Sequence, residues 1–267
     1  MTRTAKRLRI AVLVSGGGTN LQAMIDKSRG GSIAAEIVAV LSDRPDAYGL
    51  ERAKKAGIPA FVVDYKSCLE KSGREDLPVD LDELDRRQRI LKTPDPVRRR
   101  VRLSGLVLAE RELVRIIDSY QADYVCLAGF MRLVTPYFIN HFNSGDRRRI
   151  LNIHPALLPG FPGSHGYEDT FGYGCKWGGI TVHFVDEGED TGPIIAQAVY
   201  PIWPDDGLDE VRARGLGLEY EVYPQVLEWL ARDEVIVKNL PGGGSRVTVT
   251  DPDYHDILRR WIKRALE

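Results

Sequence analysis

The size and charge of the chain exclude several classes of protein. It has 267 residues, 43% of them apolar, and its 37 Lys and Arg nearly balance its 38 Asp and Glu. The net charge of −1 favours neither a nucleic-acid partner nor an anionic membrane surface. The sequence holds no apolar run near the roughly 20 residues of a membrane helix. Three unpatterned cysteines predict neither disulfides nor a zinc site, and we expect a cytoplasmic protein without a metal.

Short apolar runs alternate with helical patterns in the first half of the chain. Arg9–Ser15 (RIAVLVS) lacks polar alternation, which is typical of a parallel strand buried on both faces. A helix through Lys27 follows it. Further predicted strands are Glu36–Ser42, Ala60–Asp64 and Tyr124–Ala128, and further predicted helices are Ala47–Ala56 and Leu108–Tyr120. This order predicts a single open, mostly parallel α/β sheet of Rossmann-like type, with helices on both faces.

The second half begins with a fifth strand, Ile150–Ile153, that runs into His154. The stretch from Pro155 to Gly179 is rich in glycine and proline, and we expect a long loop of the kind that covers binding sites. Two strands that flank the acidic turn EGEDTGP predict an antiparallel hairpin. These strands, and the long helix that follows them, are Ile180–Asp186, Ile194–Ile202 and Leu208–Ala231.

Two segments are predicted to be peripheral to this domain, which spans residues 1–237. Residues 66–104 are highly charged and include RRQRILKTPDPVRRRVR. We expect a solvated insertion there, and a basic patch for an anionic partner is the less favoured alternative. The tail, residues 238–267, contains PGGGS and ends in a short basic amphipathic helix. We expect the tail to pack on the surface or to mediate assembly.

A glycine-rich turn, Gly16–Asn20 (GGGTN), separates the first strand from the first helix. Glycines let the backbone approach an anion, and the free N–H groups of a helix start can bind a phosphate. The turn is neither a P-loop nor a GxGxxG motif, which favours a single phosphate over a dinucleotide. A tight turn without a ligand stays open as an alternative.

Asn152 and His154 lie two residues apart at the end of the fifth strand, so they share one face of the sheet. Ligands of open α/β sheets bind at the carboxyl ends of strands. An amide can stabilise a developing oxyanion, and an imidazole can move protons near neutral pH. The pair therefore indicates acyl-type transfer, and the alternative is a histidine hydrogen-bonded in the core.

The acidic turn between the two hairpin strands offers a carboxylate that could orient the imidazole or hold a water. The residues alone do not choose among its four acids, which are Asp186, Glu187, Glu189 and Asp190. The sequence has no GxSxG elbow, no HExxH motif and no local Cys–His signature. Direct attack of an amine on an activated acyl donor is therefore favoured over a covalent mechanism.

Six consecutive blocks of the chain resemble the folate-dependent formyltransferases of the phosphoribosylglycinamide formyltransferase family. The blocks are RIAVLVSGGGTNLQAMID, AYGLERAKKAGIP, VCLAGFMRLVTPYFI, ILNIHPALLPGFPGSHG, GITVHFVDEGEDTGPIIAQ and EYEVYPQVLEWL. They occur in the family order from Arg9 to about Val237, interrupted by the charged insertion. The resemblance implies transfer of the formyl group of 10-formyltetrahydrofolate to the amine of N1-(5-phospho-D-ribosyl)glycinamide, a step of purine (IMP) biosynthesis.

The resemblance also implies roles for particular residues. Asn152 would hold the formyl oxygen, His154 would be the general acid, and Asp190 would pair with His154 and raise its pKa. The implied contacts of phosphoribosylglycinamide are Gly18, Thr19, Asn20 and Glu219. The implied folate contacts are Met131, Arg132, Leu133, Val134, Asn152, Asp186 and Asp190. Folate is a cosubstrate in this interpretation, no metal is implied, and the enzyme is a monomer or homodimer.

The chain departs from the family pattern at the charged insertion, where an arginine for the folate tail normally lies. Arg74 is the nearest candidate. The main alternative is a formyltetrahydrofolate hydrolase, which resembles this family but carries an N-terminal regulatory domain. Because the first predicted strand begins near Arg9, we expect no such domain, and hydrolases tend to have a second histidine where Pro155 stands. A transferase for aminoacyl-tRNA would need a larger basic C-terminal domain.

Overall fold

A seven-stranded sheet forms the centre of the computed structural model, which describes residues 7–73, 77, 79–145, 147–241 and 244–267. Its strands are β1 (Leu8–Val14), β2 (Ala35–Ser42), β3 (Ala60–Val62), β4 (Tyr124–Leu127), β5 (Ile150–His154), β6 (Trp177–Phe184) and β7 (Ile194–Pro201). Their spatial order is β3-β2-β1-β4-β5-β6-β7. The first five strands run parallel, and β6 runs antiparallel to both of its neighbours, β5 and β7. The predicted fold class, with its antiparallel hairpin, is confirmed.

Helices cover both faces of this sheet. They are α1 (Thr19–Arg29), α2 (Tyr48–Lys55), α3 (Tyr65–Glu70), α4 (Leu81–Arg87), α5 (Pro96–Ser119), α6 (Pro136–Phe142), α7 (Gly166–Gly172), α8 (Leu208–Ala231) and α9 (Tyr254–Leu266). Along β1, Ile10 and Val12 pack with α1, α2 and α8 on one face, whereas Ala11 and Leu13 pack with α5 and α6 on the other. Successive side chains of a strand point to opposite faces, so the unbroken apolar run of β1 reflects burial on both sides.

Two predicted boundaries differ from the structure. The helix expected over Leu108–Tyr120 begins a full three turns earlier, at Pro96, with Asp95 as its N-cap. The stretch expected to be a loop from Pro155 to Gly179 contains the short helix α7, and β6 already begins within it. Glycines and prolines weaken a helical pattern, which is why α7 is not evident from the sequence.

The described part of the charged insertion packs against the domain, whereas the sequence predicted a solvated insertion. Leu84 of α4 packs with Leu103 and Val107 of α5 in a small core of its own. Asp85 accepts two hydrogen bonds from the Arg99 guanidinium, at 2.6 and 2.7 Å. Such a bidentate pair fixes the geometry between two elements as well as their distance. The described part of the insertion that contains α4 therefore has a defined position against α5.

A separate hairpin, β8 (Val235–Asn239) and β9 (Ser245–Val249), spans the predicted boundary between the domain and the tail, and the sequence did not reveal it. Helix α9 packs on α8 and β7 as expected for a surface tail. Trp261 is buried beside Trp229, whose indole N–H donates to Asp251 at 2.6 Å.

Among the described helices, none has both the length and the apolar character that crossing a membrane requires.

Candidate active site

The site begins where β5 pairs with β6. Asn152 lies directly opposite His183, and His154 lies directly opposite Thr181. Cross-strand pairs of this kind share one face and are about 5 Å apart at Cβ. The alternation of β5 thus brings the two predicted residues together and adds His183. The Thr181 hydroxyl donates to the Ala156 carbonyl instead, so it shapes the start of the following loop.

Asp190 is the acid of the turn that meets these residues. Its Oδ2 lies 3.3 Å from His154 Nδ1 and accepts the backbone N–H of Gly163 at 2.8 Å. Its Oδ1 lies 3.6 Å from His183 Nε2 and 3.5 Å from Asn152 Nδ2. The backbone at Asp190 is left-handed, with φ of 54°. That turn of the chain directs its carboxylate to the end of β5.

The other three acids of the turn have different contacts. Asp186 shapes the turn itself, because its Oδ1 accepts the Gly188 N–H at 3.0 Å and the Thr191 hydroxyl at 2.6 Å. Glu187 accepts a hydrogen bond from the guanidinium of Arg87, which belongs to the insertion. Glu189 lines the same cavity as Asp190.

The charge state of His154 follows from opposing effects. Burial lowers the pKa of His154, because an imidazolium loses its hydration there. The Asp190 carboxylate and the Phe161 carbonyl, which lies 2.8 Å from Nε2, act in the opposite direction but do not outweigh burial. The resemblance implied a raised pKa, and the balance in the structure is downward. An imidazolium formed during a reaction would still find an acceptor at each ring nitrogen.

Asp190 is ionised at neutral pH. Burial raises its pKa, but the contacts with His183, the Gly163 N–H and His154 outweigh burial, and the pKa lies below its usual value. A carboxylate with several donors around it is stabilised in its charged form. The site therefore holds a fixed negative charge beside two imidazoles.

A cavity of about 430 Å³ opens beside this cluster. Its volume lies within the range of small-molecule sites, roughly 300–1,000 Å³. The predicted folate contacts all line it: Met131, Arg132, Leu133, Val134, Asn152, Asp186 and Asp190. Ile90 of the insertion lines it as well, which the sequence did not indicate.

Two residues that sequence reasoning missed hold the loop after β4. The Ser15 hydroxyl donates to Asp43 at 2.6 Å and accepts the Met131 N–H at 2.8 Å. Asp43 also accepts a hydrogen bond from Arg132 at 2.7 Å. Both residues directly follow the ends of β1 and β2, where the rule for ligand sites in α/β sheets could have identified them.

The residues expected to bind phosphoribosylglycinamide lie around α1 and α8. Asn20 donates to Glu219 at 2.5 Å, and Glu219 also accepts the Tyr167 hydroxyl at 2.6 Å. Burial raises the pKa of Glu219, and these two hydrogen bonds act against that rise. The Asn20 Oδ1 atom is buried and has no hydrogen-bond donor among the described residues. A ligand N–H or O–H group could supply one.

The glycine-rich turn is built around a close backbone contact. Gly18 is left-handed, with φ of 66°, and a Cβ there would lie 2.7 Å from the Cα of Gly49. The following residue, Thr19, begins α1 with an exposed side chain. Gly18, Thr19, Asn20 and Glu219 are absent from the lining of the 430 Å³ cavity as far as the described residues define it. The two predicted binding regions are thus distinct.

Two further expectations concern residues beyond this cluster. Arg74, the candidate for the folate tail, lies outside the described residues. Within the described residues, no group of three or more His, Cys, Asp or Glu side chains is arranged to hold a metal ion.

The fold and the site define a class of enzyme. The sequence pattern of formyl transferases matches residues 8–227, so the chain belongs to the formyl transferase family. The matched part contains the whole cluster of Asn152, His154, His183 and Asp190. The β8–β9 hairpin and α9 lie beyond it.

Within that family, the similar proteins have related names. The chain is 36% identical to the phosphoribosylglycinamide formyltransferase of Escherichia coli (strain K12), over 84% of this chain and 87% of that protein. It is 37% identical to the trifunctional purine biosynthetic protein adenosine-3 of Drosophila melanogaster over 87% of this chain, which spans only 14% of that longer protein. The crystal structure of glycinamide ribonucleotide transformylase 1 from Symbiobacterium toebii is 35% identical, with a TM-score of 0.73 over 94% of this chain and 98% of that one.

Proposed function

We propose that this enzyme transfers the formyl group of 10-formyltetrahydrofolate to the amine of phosphoribosylglycinamide, a step of purine synthesis. The observation that carries the proposal is the meeting of Asn152, His154 and Asp190 at one cavity, in a chain 36% identical to a phosphoribosylglycinamide formyltransferase over most of its length. An amide, an imidazole and a carboxylate in contact are the groups that an acyl transfer to an amine needs.

The cavity is suited to a folate. Its lining includes the apolar side chains of Met131, Leu133, Val134 and Ile90, together with the acidic turn at 186–190. A flat heterocycle with amino groups on one edge fits such a wall, because its rings contact the apolar side chains and its N–H groups meet backbone carbonyls and carboxylates. The formyl group would then lie next to Asn152.

The glycine-rich turn and the Asn20–Glu219 pair are suited to the amine substrate. Gly18 and Thr19 present N–H groups at the start of an eleven-residue helix, which favours a phosphate there. Glu219 is buried and already bonded to Asn20 and Tyr167, so it offers a fixed carboxylate to the polar part of the ligand.

In the proposed reaction, the substrate amine attacks the formyl carbon, and negative charge develops on the formyl oxygen. The Asn152 amide stabilises that charge, and the His154 Nε2–H group joins it by exchanging the Phe161 carbonyl for the formyl oxygen. Asp190, at Nδ1, stabilises the imidazolium that forms. The proton lost by the amine passes to His154 and from His154 to folate N10. The bond between the formyl carbon and N10 then breaks, and the oxyanion returns to the carbonyl of the new formamide as tetrahydrofolate leaves. Burial keeps His154 largely neutral before reaction, so its protonation belongs to the reacting state.

The test is an assay of folate product with 10-formyltetrahydrofolate, in the presence and the absence of phosphoribosylglycinamide. We expect product only when the amine is present. Equal turnover without the amine would support the hydrolase instead. No turnover in either case would indicate a binding protein and reject the proposal.

The hydrolase alternative has less support. A formyltetrahydrofolate deformylase from Pseudomonas syringae pv. tomato superposes with a TM-score of 0.68, but at 23% identity that likeness shows the fold alone. Relatives with more than 30% identity over most of their length carry the formyltransferase name.

A further inference from the structure

The charged insertion reaches the cavity through the end of α4 and the residues that follow it. Arg87, the last residue of α4, donates to the Glu187 carboxylate in the acidic turn. Ile90, three residues later, lines the cavity together with Val185 and Glu187. The insertion thus contacts the wall of the cavity that carries Asp190.

The backbone around Ile90 is fixed by a neighbouring side chain. Gln88 Oε1 accepts the Leu91 N–H at 2.7 Å, and Gln88 Nε2 donates to the Leu91 carbonyl at 3.3 Å. Leu91 itself packs with the small core of the insertion. Ile90 is therefore held in place on both sides.

Helix α4 is anchored before it reaches the turn. Its Asp85 accepts hydrogen bonds from Nε and Nη2 of Arg99, and the side chain of Asp85 is only 11% exposed. Its Leu84 is buried against α5. Because α5 runs into the main core below the sheet, the position of α4 is set by the domain rather than by the turn.

We propose that the insertion forms a wall of the cosubstrate cavity and that the Arg87–Glu187 ion pair positions the acidic turn against it. The proposal rests on the proposed function for the identity of the cosubstrate, though the contact itself does not. Arg87 acts here through Glu187 and is a positioning residue. Asp190 has its own supports, the Gly163 N–H and His183, so loss of Arg87 affects binding of the folate more than the rate of transfer.

The kinetic test compares Arg87→Gln with a matched control, Arg86→Gln. Arg86 is the preceding residue of the same helix, is exposed, and makes no hydrogen bond or ion pair within the part of the chain that the structure describes. Arg87 and Glu187 are 44% and 31% exposed, and exposed ion pairs are weak, so we expect Arg87→Gln to raise KM for 10-formyltetrahydrofolate about two- to fivefold. We expect kcat to change less than twofold, Arg86→Gln to match the wild type, and Arg87→Lys to recover most of the effect.

A double-mutant cycle separates positioning from direct binding of the folate. If Arg87 acts through Glu187, Glu187→Gln raises KM as Arg87→Gln does, and the double variant is no worse than either single variant. If Arg87 instead binds the cosubstrate itself, Glu187→Gln leaves KM unchanged or lowers it, and the proposal is wrong.

Hydrogen exchange of the ligand-free protein tests, without any reaction, the clamp that the Arg87–Glu187 ion pair forms on the acidic turn. We expect faster exchange of the amides in residues 186–191 in Arg87→Gln than in Arg86→Gln, because the turn opens more often without its outer contact. Faster exchange in a protein without transferase activity would retain the clamp and reject the proposed function. Transferase activity with unchanged exchange and unchanged KM would reject the clamp alone.

Discussion

At the scale of single residues, the amide of Asn152 is the proposed donor to the oxyanion. Its Nδ2 lies 3.3 Å from His183 Nε2 and 3.5 Å from Asp190 Oδ1, so it joins the groups around the proposed formyl oxygen. Loss of one oxyanion donor lowers kcat about a hundredfold or more. We expect Asn152→Ala to do so in a steady-state assay at saturating substrates. A loss below tenfold would show that the amide does not hold the oxyanion.

The Asp190 carboxylate can be tested without disturbing its turn. Asparagine tolerates the left-handed backbone observed there, with φ of 54°, and its side-chain oxygen can still accept the Gly163 N–H. Asp190→Asn removes the charge that stabilises an imidazolium at His154. We expect kcat to fall on the order of a hundredfold, as for loss of a proton-transfer partner, with an unchanged circular-dichroism spectrum. Near-normal turnover would refute the pairing of Asp190 with His154.

At the scale of elements, helix α8 carries a glycine where a larger residue does not fit. A Cβ on Gly215 would lie 2.4 Å from the ring of Tyr167, whose hydroxyl binds Glu219. Overpacking typically destabilises by about 1–3 kcal/mol. We therefore expect Gly215→Ala to lower the free energy of unfolding and to raise KM for phosphoribosylglycinamide, because Tyr167 must move.

Gly217 supplies the control for that substitution. No described heavy atom lies within 4 Å of a Cβ placed there, and alanine is a better helix former than glycine by about 1 kcal/mol. We expect Gly217→Ala to be neutral or stabilising in urea unfolding. Equal effects of the two substitutions would mean that backbone entropy, and not the contact with Tyr167, decides the result.

Local patterns predicted the elements that depend on local chemistry. The apolar runs gave the strands, and the two-residue spacing of Asn152 and His154 placed both on one face. The choice of Asp190 among four acids could not be made that way, because it depends on one left-handed residue in the turn. The contacts of Arg87 and Ile90 could not be predicted from the sequence either, because a charged segment has the same composition whether it is solvated or packed on a distant turn.

At the scale of the whole molecule, the order of the strands brings the two proposed binding regions together. From β1 the chain adds β2 and β3 on one side of the sheet and then β4 and β5 on the other, so the strand order reverses between β1 and β4. Ligands of open α/β sheets bind at such a point. The Ser15 N–H donates to the Gly129 carbonyl at 3.0 Å, and its hydroxyl accepts the Met131 N–H. The residue before the turn proposed for the phosphate is therefore bonded directly to the loop proposed for the folate, so the two distinct binding regions adjoin.

The buried Glu110 makes the stability of the whole domain depend on pH. It lies on α5, 1% exposed, and accepts hydrogen bonds from the N–H and hydroxyl of Thr135 at the start of α6. Burial raises its pKa to about 8, although the bonds from Thr135 oppose the rise. The folded protein therefore holds a proton that the unfolded chain has released. The stabilisation from this proton is complete below the unfolded pKa and is lost as pH rises to about 8.

Glu110→Gln removes that titration while keeping the size of the side chain. We expect the stability of the wild type relative to Glu110→Gln to fall between pH 5.5 and 7.5, by at most about 1.4 kcal/mol per pH unit. Urea unfolding of both proteins at each pH measures the difference, and the other titrating groups cancel in it. If the stability difference between the two proteins does not change with pH, the donors of Thr135 keep Glu110 ionised despite its burial. A carboxylate that is ionised in both the folded and the unfolded protein takes up no proton on folding.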